Sequence, residues 1–159
     1  MMNKDGFIID SGASRIMTPS RDTLVQDSFR EIRDEYALLG DDSKVTIEGS
    51  GQMAIEFNNS HGLILEDAPV VPDLTEGLIS VSHLLQNTDN ILSFSKDAVF
   101  IYLADSNKVI EIGRQVNGLY YYKTTFRDRA QAHVATLSKK KLQQRPNQRY
   151  NSLLYLDLT

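Results

Sequence analysis

The chain has 159 residues, 41% hydrophobic and 24% charged, with a net charge of −4; that suffices for one domain with a real core, plus a tail. The absence of cysteine excludes disulfides, thiolate zinc sites and Cys nucleophiles, and His61, His83 and His133 lack ligand spacing, so neither a metal nor a cofactor is expected. No apolar run reaches the roughly 18 residues that span a bilayer, and "MMNKDGF" is no signal peptide, so we expect a cytoplasmic protein without a membrane partner.

In chain order, "GFII" reads as a strand that runs straight into Asp10 of "FIIDSGAS". "SRDTLVQDSFREIRDEY" has a Ser or Asp cap candidate but an uneven apolar stripe, and reads as a helix or as a loop with one turn. Then "YALLG", "SKVTIEG", "QMAIEF" and "GLILEDA" are short, alternating and rich in branched residues, and "GDDS", "EGSG" and "NNSHG" between them are turn signals. In "ISVSHLLQNT", Ser80 is placed to cap a short helix with Val81, Leu84 and Leu85 on one side. "AVFIYLA", "KVIEIG" and "GLYYYKT" return to strand, separated by "ADSN" and "QVNG". Residues 1–126 therefore predict an all-β domain with one short helix, a small barrel or a sandwich of hairpins.

Residues 127–159 differ in kind. They hold seven Lys/Arg against two Asp, a net of +5, whereas residues 1–126 carry −9. We expect a basic linker or tail that could contact nucleic acid weakly through phosphate charge, closing on an apolar "NSLLYLDLT" that reads as one more strand.

Chemistry converges on Asp10. A carboxylate at the end of an apolar strand, followed by Ser11 and Gly12, suits an aspartic protease: the strand holds the acid rigidly, the hydroxyl bonds across to a second copy of the loop, and Gly permits close approach. Such an enzyme needs two carboxylates sharing one proton, and one Asp-Ser-Gly per chain makes the active unit a homodimer. The alternative is an Asx turn without catalytic duty. No G-x-S-x-G occurs for a serine hydrolase, and "EGSGQ" lacks the Gly-Lys-Ser/Thr ending of a phosphate loop.

"FIIDSGASRIMTP", "LLGDDSKVTIEGSGQMAI", "LILEDAPVVPDLTEGLISVSHLL" and "GRQVNGLYYY" resemble, in order, the signature blocks of the protease region of copia-type retrotransposon Pol polyproteins, over about residues 7–124. The resemblance implies a closed retropepsin-like β-barrel and an aspartic endopeptidase cleaving its own Gag-Pol precursor, in virus-like particles. Asp10, Ser11 and Gly12 then form the catalytic triplet. Gly49, Ser50 and Gly51 resemble the tip of a substrate-covering flap, with "LLGDDSKV" as the alternative hairpin, and Leu78 and Ile79 the pocket wall. The implied partners are a second copy and extended Gag-Pol segments. Two departures, Ile16-Met17 where the family commonly has a nearby His and Asp42 where "GDGS" is usual, allow an inactive remnant that binds peptide or protein instead. "RYNSLLYLDLT" faintly resembles the approach to the first catalytic Asp of an integrase core, at Asp157; one carboxylate cannot organise two-metal chemistry.

Overall fold

Runs of branched and aromatic residues become the strands, and Asp and Asn take the sharp corners between them. Among the described residues, every non-glycine residue with positive φ is an Asp or Asn: Asp27, Asp34, Asp42, Asp67, Asn87, Asn107 and Asn117, types that tolerate a left-handed backbone. Asp42, at φ 62°, occupies the corner where "GDDS" departs from the usual glycine. The computed structural model describes residues 6–123 and the backbone of Leu153–Asp157; of the basic tail expected over 127–159, all but Leu153–Asp157 lies outside the described residues.

The elements are β1 (Phe7–Asp10), a 3-10 turn (Arg21–Thr23), β2 (Arg30–Glu31), β3 (Tyr36–Leu38), β4 (Lys44–Thr46), β5 (Gly49–Glu56), β6 (His61–Val70) and β7 (Gly77–Ser80). They continue with α1 (Val81–Leu85), β8 (Ile91–Phe94), β9 (Ala98–Leu103), β10 (Lys108–Val116), β11 (Leu119–Tyr122) and β12 (Leu153–Asp157). The all-β expectation with one short helix holds, and "SRDTLVQDSFREIRDEY" resolves into the single 3-10 turn and β2.

A six-stranded sheet runs β7-β1-β11-β10-β9-β8, a four-stranded sheet β12-β6-β5-β2, and β3-β4 form a separate hairpin. Between the two larger sheets lies one core, with Phe7 and Ile9 of β1, Met53 and Ile55 of β5, Leu63 and Leu65 of β6, Ile79 of β7 and Val99 and Ile101 of β9. Along β9 the alternation is direct: Val99, Ile101 and Leu103 are buried, Tyr102 exposed. A smaller cluster of Met17, Ala37, Ile47 and Val71 seats the β3-β4 hairpin.

The expected closed barrel is not found: among the described residues no sheet closes on itself. One side is stitched by Met17 and Thr18, which bridge to Leu78 of β7 and Val70 of β6. In the second bridge the Thr18 N–H donates to the Pro69 carbonyl (3.0 Å) and the Val71 N–H donates to the Thr18 carbonyl (2.7 Å). On the other side, the four-residue β8 ends its sheet with an open edge.

Gly49 pairs with Glu31 on one side and Val70 on the other. A Cβ there would press into the Arg30 carbonyl and the Phe29 ring. Gly49→Ala is therefore expected to cost about 1–3 kcal/mol in urea denaturation, as overpacking does. Gly40→Ala, with nothing within 4 Å of its added methyl, should stay within about 0.5 kcal/mol.

Candidate active site

Asp10 is the last residue of β1 and pairs in parallel with Ser80 of β7. Its strand is interior to the sheet, flanked by β7 and β11, so the carboxylate stands on a backbone held from both sides. Asp10 is half-buried, and Ser11 and Gly12 are exposed. The Gly12 N–H donates to Asp10 Oδ1 at 2.7 Å, which makes the turn an Asx turn. A Cβ on Gly12 would lie 3.2 Å from that oxygen, so glycine keeps the carboxylate uncrowded.

Three further contacts hold the loop. Ser80 Oγ donates to the Ala13 carbonyl (2.6 Å) and accepts from His83 N–H (3.1 Å), so one hydroxyl both caps α1 and ties the loop down. His83 Nδ1 accepts from Ile16 N–H (3.2 Å). Met17 and Leu78 exchange backbone hydrogen bonds, 2.9 Å each way. The chain leaves β1, rounds the Asp10 loop and returns along β7, which is thereby threaded between β1 and Met17.

His83 is buried, and that burial, helped by the Arg15 guanidinium and opposed by Asp67, lowers its pKa below 6.5. The neutral ring is the form that accepts from Ile16, with the proton placed on Nε2. Because the folded pKa lies below the unfolded one, this stabilisation is complete above about pH 6.5 and is lost as pH falls from there toward the folded value. His83→Asn offers an amide oxygen as acceptor without titrating. Its thermal midpoint should lie near that of the unsubstituted chain at pH 7.5, and decline less on acidification to pH 5.

Of the other expected site residues, Ile79 is a core residue and Leu78 is half-buried, paired with Ile8 and Met17. Gly49, Ser50 and Gly51 are not a hairpin tip. They begin β5, held between β2 and β6, and a Cβ at Gly51 would crowd Leu24 and Ser28 at 2.8 Å. Close approach of the 24–31 segment, rather than a turn, requires those glycines. The actual hairpin is "LLGDDSKV", carried by β3 and β4. It leaves Tyr36 and Leu38 59% and 64% exposed. Ser80 could be read from the sequence as a cap but not as a brace on Ala13, and nothing local marked His83 as the partner of Ile16.

Residues 7–89, from β1 through α1, match the family described as Pol polyprotein, beta-barrel domain. The chain belongs to that family. No curated protein and no solved structure matches it. The matched span of the Pol polyprotein domain contains the Asp10 loop, the three contacts that hold it and the β3-β4 hairpin. The β8-β11 strands that complete the six-stranded sheet follow it.

Proposed function

We propose that this Pol polyprotein domain is a retropepsin-like aspartic endopeptidase of the copia type, cleaving extended segments of its own Gag-Pol precursor in the cytoplasm or in the assembling particle. The observation that carries the reading is the mounting of Asp10: a half-buried carboxylate at the end of an interior strand, on a loop tied at Ala13, Ile16 and Met17. A water-activating acid needs that rigidity. Each chain supplies one such carboxylate, so the working unit is a homodimer in which two Asp10 side chains share a proton. One takes a proton from the attacking water while the other donates to the scissile carbonyl oxygen; the first then gives its proton to the amine nitrogen as the C–N bond breaks, and the second recovers a proton from the adduct's hydroxyl as the carboxylic acid forms. Gly12 keeps the carboxylate approachable, and Ser11, exposed beside it, is free to bond to the partner loop.

The β3-β4 hairpin is the better candidate for the covering flap. It rests through Ala37 on Met17 and Val71, just beyond the Asp10 loop, and presents Tyr36 and Leu38 outward to an extended substrate. Hydrolysis of extended peptides by the purified chain, with and without Asp10→Asn, tests the proposal. The Asx turn at Asp10 supports a second reading, an inactive β-domain that binds a peptide or protein partner. Sedimentation separates the two, because a chain that stays monomeric at tens of micromolar has no second carboxylate.

A further inference from the structure

Among the described residues the buried polar side chains are those of Thr18, Ser80, His83 and Asn90, and of these only His83 titrates near neutral pH. α1 brings its ring against the loop that follows Asp10, where Nδ1 accepts from the buried Ile16 N–H at 3.2 Å. That contact runs one way. A backbone amide can only donate, so the bond requires an unprotonated Nδ1, and a proton there sets two N–H groups against each other.

The charged groups that act on the ring come from two other elements. Arg15, on the loop itself, places its guanidinium near the ring and donates to the Asp67 carbonyl at 3.3 Å; Asp67, in β6, adds a carboxylate. α1 and β7 bring no other titratable group, and the one on β1, Asp10, accepts from Gly12 N–H. A cationic ring is therefore repelled by Arg15 and drawn toward Asp67. Protonation thus acts on the loop twice, at the Ile16 amide and at the guanidinium beside it.

The neighbouring ties do not titrate with the ring. Ser80 Oγ still holds the Ala13 carbonyl, Met17 stays bonded to Leu78, and β1 stays paired with β7 from Phe7–Gly77 to Asp10–Ser80. The stretch left to move is Ser14 to Ile16, of which Ser14 and Arg15 are already exposed.

We propose that His83 is an acid-sensitive latch on the Asp10 loop: the neutral ring holds Ile16, and protonation releases Ser14 to Ile16 while the sheets stay folded. Burial, then the Arg15 guanidinium, against the pull of Asp67, set the latched ring's pKa below 6.5, and a ring released into water returns to about 6.5. Release is therefore linked to uptake of one proton, and between those two values each unit of falling pH favours it by up to about tenfold. The latch concerns the loop backbone and no bond cleavage, so it stands apart from the peptidase reading.

Amide hydrogen exchange, read by nuclear magnetic resonance on the full isotope-labelled chain between pH 7.5 and pH 5, tests it, with each rate referred to the intrinsic rate at that pH. Protection of Ile16 N–H should fall by at least about fivefold, in step with titration of the His83 ring nitrogens. Protection of Val25 N–H, which bonds to the Gln52 carbonyl at 2.8 Å, should stay constant. His83→Asn keeps an acceptor at the Nδ1 position without titrating, so Ile16 protection should then be constant over the same range. His61→Asn, at the start of β6, should keep the fall. Asp10→Asn should keep it too, so the latch and the peptidase reading are judged separately. Constant Ile16 protection in the unsubstituted chain overturns the latch, as does an equal fall in His83→Asn. The readings on the unsubstituted chain decide the question even where His83→Asn does not fold.

Discussion

Asp10→Asn is expected to lower kcat/KM for an extended peptide by at least about 1,000-fold while leaving the fold intact. The amide oxygen of asparagine still accepts from Gly12 N–H, so the turn and the pairing of β1 with β7 survive the substitution. What disappears is the proton that two carboxylates must share, and with it the ability of one to act as base while the other acts as acid. Circular dichroism, thermal midpoint and sedimentation coefficient of the variant should match those of the unsubstituted chain. That control separates loss of chemistry from loss of structure. Undiminished hydrolysis by the asparagine variant would exclude Asp10 as the catalytic acid.

Ser80→Ala is expected to have the largest structural effect at the site. The hydroxyl has two duties, so its removal uncaps α1, at about 1 kcal/mol, and orphans the Ala13 carbonyl, at about 1–3 kcal/mol. The sum, about 2–4 kcal/mol by urea denaturation, is a large share of a small domain's stability. The same loss frees the loop that aims Asp10, and displacement of a reacting group by even 1 Å can cost about 100-fold in rate. Activity should therefore fall by more than the folded fraction does. Ser82→Ala is the control: its hydroxyl lies 3.0 Å from Ser80 Oγ but makes neither the cap nor the brace. It should cost less than about 1 kcal/mol and leave hydrolysis near its original rate.

The glycines of "EGSGQ" show where a local reading misleads. Three small residues between two strand-like runs have the composition of a turn, and the family resemblance placed a flap tip there. Gly49 and Gly51 instead sit inside β5 because the 24–31 segment crosses them too closely for a side chain. Turn and close contact both demand glycine, and only the path of the crossing segment distinguishes them. "GDDS" made the opposite error possible: it lacks the usual glycine, yet Asp42 takes the positive φ and the hairpin forms.

Closure of the barrel was equally invisible locally. Strand number and alternation are consistent with a barrel or with two sheets, and the choice depends on which edges meet. Only the isolated bridges of Met17 and Thr18 join the sheets on one side, and among the described residues β8 is an edge strand on the other. The final apolar segment was readable as a strand, but its partner in β6 was not.

The sequence by itself determined most of the strands, though not β2, β7 or β8, and it offered the Asp10 turn and the Ser80 cap, because each follows from residues within a few positions of one another: alternation, an Asx side chain, a hydroxyl three residues before the N–H it accepts from. Tertiary structure alone decided that Ser80 braces Ala13, that a buried neutral His83 holds Ile16, and that β12 covers β6. Those contacts join positions far apart in the chain, and their existence depends on how two sheets stack rather than on any local preference.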